Sequence, residues 1–181
     1  MRMLDTDIAD VKIIEPVVHG DPRGFFLESF NEQAFCEKLG RMVRFVQDNH
    51  SRSERGVLRG LHYQIDRTQA KLVRVVHGEI FDVVVDLRES SPTFGKWLGT
   101  HLSAENFRQL WLGEGLAHGF LVLSDVADVI YKTTDYYSPS DERCIIWRDA
   151  DLTIDWPIHG DPRLSDRDRE GVPFKDADLF A

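Results

Sequence analysis

The sequence predicts an all-β fold, a sandwich or a barrel. Three observations point there. Short apolar runs recur at close spacing, they are rich in Val, Ile, Phe, Tyr and Trp, and turn residues bound them. The first half holds a single convincing helix.

Val11–Ile14 is a short apolar run before Pro16 and reads as an edge strand. Asp21-Pro22-Arg23-Gly24 is a turn signal. The strand FFLESF follows over Phe25–Phe30, with Phe26, Glu28 and Phe30 on one face. Asn31 is placed to cap a helix over Glu32–Leu39, and Gly40 to stop it. Further strands are expected over Val43–His50, Val57–Gln64, Lys71–Val76, Glu79–Leu87, Trp97–Leu102, Arg108–Leu112, His118–Leu123, Asp128–Thr133 and Cys144–Trp147. His77-Gly78-Glu79 and Ser91–Gly95 carry turn chemistry. Phe81, Val83, Val85 and Leu87 alternate with Asp82 and Asp86, a half-buried strand that carries no function. The four Trp read as core or interface anchors.

A chain of 181 residues is expected to form one domain, residues 1–181, with a sizeable core. Residues 158–181 are rich in Asp, Arg and Pro and read as a loop and short helix laid over the barrel. The net charge of -9, without a long Lys/Arg run, argues against a nucleic-acid surface. It leaves room for a phosphorylated small molecule held by a few local arginines. Cys36 and Cys144 stand outside any CxxC pair and fit buried thiols in a reducing compartment. The N-terminal stretch lacks a long apolar run, and nothing approaches membrane-spanning length. A soluble, cytoplasmic protein is expected.

The stretch Gln47–Gln64, QDNHSRSERGVLRGLHYQ, is where chemistry concentrates. It places amides, imidazoles and guanidiniums where strands usually carry apolar residues. Inward polar groups cost free energy unless paired, so a chain that keeps them usually uses them on a ligand. The plainer reading is a polar outer face on a hairpin. Gln47 and Asn49 share one strand face. If Arg59 and His62 serve one site, Gly60 sits at a bulge that re-aims one of them. Lys71 opens the next strand, His118 enters its strand from a glycine turn, and Tyr131 lies between apolar neighbours. A metal site is not expected, because His62-Tyr63-Gln64 carries Gln where a paired ligand would stand. GxSxG and phosphate-loop patterns are absent. What remains is proton transfer. An imidazole base and a phenol acid on opposite faces of a carbon suit an epimerase, with a cation near the enolate oxygen.

The segments DPRGFFLESF, QDNHSRSERGVLRGLHYQ, KLVRVVHGEIFDVVVDLRESSPTFGKW, GLAHGFLVLSDVADVIYKTTDYYSP and IIWRDADLTIDWP resemble the dTDP-4-dehydrorhamnose 3,5-epimerase family, from about Val11 to the C-terminal loop. The resemblance implies a cupin-type jelly roll without metal or other cofactor, acting on a dTDP-sugar. It implies that His62 is the base at C3 and C5, Tyr131 the acid on the opposite face, and Asp168 the carboxylate paired with His62. Lys71 would stabilise the enolate oxygen. Arg23, Glu28, Gln47, Asp48, Asn49, Arg59, His118 and Glu142 match substrate-contacting positions, with Arg59 on diphosphate oxygens. Tyr137 matches the ring that stacks on thymine. Arg167 stands where the family usually has Lys. A homodimer with exchanged N-terminal strands is also implied, so that Arg23 and Glu28 serve the partner's site. Competing readings are an epimerase of one centre only, C3 or C5, a metal-dependent cupin oxygenase, and a sugar-nucleotide-binding module without chemistry.

Overall fold

The computed structural model describes residues 1–181. In chain order its elements are β1 (Arg2–Asp5), β2 (Val11–Glu15), β3 (Val18–Asp21), β4 (Gly24–Leu27), α1 (Glu32–Leu39), β5 (Gln47–Glu54), β6 (Leu58–Gln64), β7 (Lys71–His77), β8 (Glu79–Asp86), β9 (Trp97–Ser103), β10 (Gln109–Leu112), β11 (Leu116–Val122), β12 (Val126–Thr133), β13 (Glu142–Cys144) and α2 (Asp166–Arg169). A six-stranded sheet runs β1-β2-β10-β7-β12-β5, a five-stranded sheet runs β13-β6-β11-β8-β9, and β3-β4 form a separate hairpin. The all-β sandwich expected from the sequence is the fold observed. No helix is long and apolar enough to cross a membrane.

The main core lies between the sheets. Val73, Val75, Leu110 and Val129 from the six-stranded sheet meet Ile80, Val84, Leu116 and Phe120 from the other. Helix α1 forms where its caps place it. The Asn31 side chain accepts from the Ala34 amide, and Gly40 adopts φ 78°, which a residue without Cβ reaches without strain. Phe35 and Cys36 of α1 then pack with Ile14, Leu72 and Trp111 on the outer face of the six-stranded sheet. The C-terminal segment covers the five-stranded sheet from outside. Leu152, Trp156, Phe174 and Phe180 pack with Val83, Val85 and Leu121.

Several boundaries differ from the sequence expectation. The strand expected over Val43–His50 begins only at Gln47 and runs on to Glu54, while Val43 is drawn under α1, its amide 3.3 Å from Cys36 Sγ. FFLESF is extended only to Leu27, because β4 has no neighbour except β3, and Phe30 leaves to pack on Phe35 and Phe45. The last strand stops at Cys144, and beyond it the Trp147 carbonyl accepts from Trp156 Nε1. Strands β1 and β3 were not foreseen.

The largest correction concerns β8. Asp82 and Asp86 are fully buried, not on a solvent face. The strand lies between β11 and β9 with the main core on one face and the C-terminal cover on the other, so neither face is wet. Asp86 is held by Arg88 Nε at 2.8 Å, Ser91 Oγ at 2.6 Å and Thr93 Oγ1 at 2.7 Å. Burial pushes its carboxyl up, but these hydrogen bonds outweigh burial and bring it to about 2.

One irregularity positions the site. Against β11, His62 opposes His118 while Arg59 opposes Phe120, so β6 carries one extra residue. Gly60 lies in the gap at φ 118°, and a Cβ there would stand 2.5 Å from Gly119 Cα. Glycine is therefore required by both the torsion and the close approach. Because of the bulge, Arg59 and His62 both line the inner cavity, while Leu58, Leu61 and Tyr63 join the outer cluster.

Candidate active site

The two sheets part at one end around a cavity of about 600 Å³. Gln47, Asn49, Arg59, His62, Lys71, His118, Tyr131, Tyr137, Glu142, Arg167 and Asp168 line it. Their origins are widely separated. Lys71 and Tyr131 come from β7 and β12 of one sheet, and His62 and His118 from β6 and β11 of the other. Strand β5 supplies Gln47 and Asn49, and α2 supplies Arg167 and Asp168. Three sequence candidates lie elsewhere. Asp48 points outward to Lys132 Nζ at 2.9 Å, as alternation from Gln47 and Asn49 requires. Arg23 sits in the β3-β4 turn, paired with Asp21 at 2.6 Å. Glu28 lies beside Asn31, 3.2 Å away.

His62 Nε2 is 2.7 Å from Asp168 Oδ1, although the N–H direction misses that oxygen, which makes this a close charge contact rather than an aligned hydrogen bond. Asp168 is itself fixed. Ser165 Oγ donates to Oδ2 at 2.6 Å and the Gly60 amide donates to Oδ1 at 3.1 Å. Burial raises the Asp168 carboxyl, but His62, Ser165 and the Gly60 amide together outweigh it and bring it to about 2. The pair is thus an imidazole beside a carboxylate that stays ionised at neutral pH.

Lys71 is buried in the cavity wall. Loss of hydration brings its amine down to about 8, against the opposing pull of Asp82 and Glu142. It is a cation that can lose its charge near neutral pH, in a site where an adjacent negative oxygen would be strongly stabilised. Burial raises the Tyr131 phenol, with Arg59 pulling the other way, so the hydroxyl keeps its proton and can donate it. Toward the mouth, the Tyr137 hydroxyl donates to Glu142 Oε2 at 2.6 Å, and Arg167 Nη1 contacts both residues. Gln47 Oε1 accepts from the Tyr137 amide at 3.1 Å, tying the aromatic loop to β5.

Two contributors escaped the sequence reading. Asp82 accepts from His118 Nε2 through both oxygens at 2.9 Å, which fixes the ring against the cavity wall. A carboxylate inside the run IFDVVVD was the available signal, once both strand faces are known to be dry. Ser165 caps α2, and the pattern Ser165-x-x-Asp168 is a recognisable capping signature. Arg59 is likewise braced by Ser53 Oγ at 3.0 Å.

The family model described as dTDP-4-dehydrorhamnose 3,5-epimerase matches residues 5–176. A dTDP-4-dehydrorhamnose 3,5-epimerase of Pseudomonas aeruginosa is 61% identical over 180 residues, 99% of each chain. A dTDP-4-dehydrorhamnose 3-epimerase of Streptomyces niveus is 43% identical, over 98% of this chain and 86% of that one. The crystal structure of a dTDP-6-deoxy-D-glucose-3,5-epimerase from Legionella pneumophila, in complex with dTDP-4-keto-L-rhamnose, superposes with a TM-score of 0.95 at 53% identity, covering 98% of this chain and 94% of that one.

The depressed Asp168 carboxyl links stability to pH. Its contribution is present above the ordinary carboxylate value of 3.8 and is lost as pH falls toward about 2. Asp168→Asn is expected to be less stable than the parent in urea at pH 7, with the gap narrowing below pH 3.8. A gap that stays constant from neutral to acid pH would show that Asp168 is not held as an anion.

Proposed function

The chain belongs to the dTDP-4-dehydrorhamnose 3,5-epimerase family, and we propose that it inverts C3 and C5 of dTDP-4-dehydro-6-deoxy-α-D-glucose to give dTDP-4-dehydro-β-L-rhamnose. It is an isomerase, and the reaction serves dTDP-L-rhamnose formation. The observation that carries the mechanism is placement: His62 and Tyr131 reach one cavity from opposing sheets. Each carbon beside the C4 ketone loses its proton to His62, backed by Asp168. The electron pair moves onto the ketone oxygen, where Lys71 and His118 stabilise the charge. Tyr131 returns a proton to the other face, and collapse of the enolate restores the ketone with the centre inverted. Asp82, behind His118, orients that ring. No electrons leave the substrate, so no redox partner is needed for this balance.

Arg59 receives the diphosphate and Tyr137 stacks on thymine, beside Gln47, Asn49, Glu142 and Arg167. Arg23 and Glu28 do not line their own chain's cavity, and the hairpin that carries Arg23 exposes Phe25 and Phe26. This supports a homodimer whose N-terminal strands exchange and bring Arg23 and Glu28 to the partner's site. Two free cysteines suit the reducing cytoplasm. The second reading, inversion of one centre only, is favoured by the relative named as a 3-epimerase.

Incubation with dTDP-4-dehydro-6-deoxyglucose in D₂O, followed by NMR, separates these readings. Deuterium and inversion at both carbons are expected, whereas one inverted centre contradicts the double epimerisation. His62→Ala is expected to abolish exchange at both carbons with binding kept, a loss of about 10²–10⁴-fold. Near-normal turnover in that variant would remove His62 from the role of base. Turnover is also expected to fall above about pH 8 as Lys71 loses its proton, and a rate flat from pH 7 to well beyond 8 would exclude a required ammonium. Sedimentation equilibrium is expected to give a dimer, and a monomer at micromolar concentration would contradict strand exchange.

A further inference from the structure

Beside the catalytic pair stands a thiol that the proton-transfer scheme does not use. Cys144 lies directly opposite His62 in the β13-β6 register. The ligand atoms of His62, Cys144 and Asp168 all lie within 4.8 Å of one another. Nitrogen, sulfur and oxygen donors from β6, β13 and α2 therefore converge on one point, and these are the three donor types that bind zinc. In a tetrahedral zinc site such donors are about 3.3–3.8 Å apart, so side-chain rotations would bring Cys144 Sγ inward and open the 2.7 Å contact between His62 and Asp168.

Two further observations support a ligand there. His62 Nε2 is shielded from solvent and its near partner is Asp168 Oδ1 at 2.7 Å, itself one of the three donors, so a cation between them would replace that contact rather than strand a group, with the ring proton moved to Nδ1. Asp168 is already oriented by Ser165 and the Gly60 amide, the kind of outer bracing that metal-binding carboxylates have. The adjoining cavity has room for a water as fourth ligand. In the free protein, burial together with Asp168 and Glu142 raises the Cys144 thiol to about 12.

We propose that His62, Cys144 and Asp168 form an inhibitory site for a soft divalent cation of the zinc type. Binding replaces the S–H bond of Cys144 with a metal–sulfur bond and releases one proton to solvent. The same event takes the His62 lone pair and the Asp168 charge away from proton transfer, so the occupied enzyme is inactive. The metal is here a competitor for the base and has no part in turnover.

The test uses the full chain freed of metal, with Co(II) and Zn(II) chlorides as probes. Cobalt is expected to bind at one equivalent and to give a thiolate-to-metal charge-transfer band. Zinc is expected to inhibit reversibly, with turnover restored by EDTA. Cys144→Ala, which touches no substrate group in the proposed scheme, is expected to keep basal turnover, lose the cobalt band and weaken zinc inhibition roughly tenfold or more. Asp168→Asn provides an activity-independent check, since it too is expected to weaken the band. Equal zinc inhibition in parent and Cys144→Ala overturns the proposal. So does a cobalt band that survives Cys144→Ala and vanishes in Cys36→Ala. Because the cobalt band is read without substrate, its absence would refute the metal site and leave the epimerase reading untouched.

Discussion

Charge is kept dry between two sheets, and the rest of the molecule is arranged around that constraint. Asp82, Lys71, His118 and Asp168 are all buried. An uncompensated charge in such a place would shift its proton equilibrium or disrupt the packing. Here each has an answering group: Asp82 faces His118, Asp168 faces His62, and Lys71 feels Asp82 and Glu142. The sandwich must therefore close with correct register on both sides, because the partners come from β6, β7, β8, β11 and the C-terminal helix. The same dry setting makes a transient negative oxygen worth stabilising with a lysine.

The β6 bulge converts this scaffold into a site. Were these residues paired without the bulge at Gly60, strict alternation would turn Arg59 and His62 to opposite faces. With it, both line one cavity, and the outward residues still pack beneath the C-terminal cover. That cover has its own part. It shields the five-stranded sheet with Trp156 and Phe174, and through α2 it returns Asp168 to the back of His62. The C-terminal segment thus both covers the sheet and supplies the carboxylate beside His62.

The sequence was legible wherever local chemistry decides the structure. Helix α1 begins and ends at its caps, and most central strands fall where β-branched runs and turn residues place them. In the polar stretch from Gln47 onward only alternate residues of β5 turn inward: Gln47 and Asn49 do, whereas Asp48, His50, Arg52 and Glu54 are exposed, and the glycine further on marked the bulge. Strand β3 was not legible, since VHGD is exposed throughout and pairs only with β4. Asp82 was misread because alternation identifies two faces without saying which one turns inward: Asp82 shares the inner face with Ile80 and Val84, while Phe81, Val83 and Val85 pack under the C-terminal cover, which lies about 70 residues later in the chain. Asp168 and Ser165 belong to a four-residue helix, too short to leave a periodic pattern, and only the capping signature marks it. Asp48 shows the reverse limit: a motif can carry a residue whose side chain the strand turns outward.

The measurement that bears most directly on this account is a crystal structure with a dTDP-4-keto-6-deoxy sugar bound. The account places the sugar ring between the imidazole of His62 and the hydroxyl of Tyr131, one on each face, with the C4 oxygen against Lys71. A ring bound with both groups on the same face, or a nucleotide seated outside the cavity between the sheets, would contradict it.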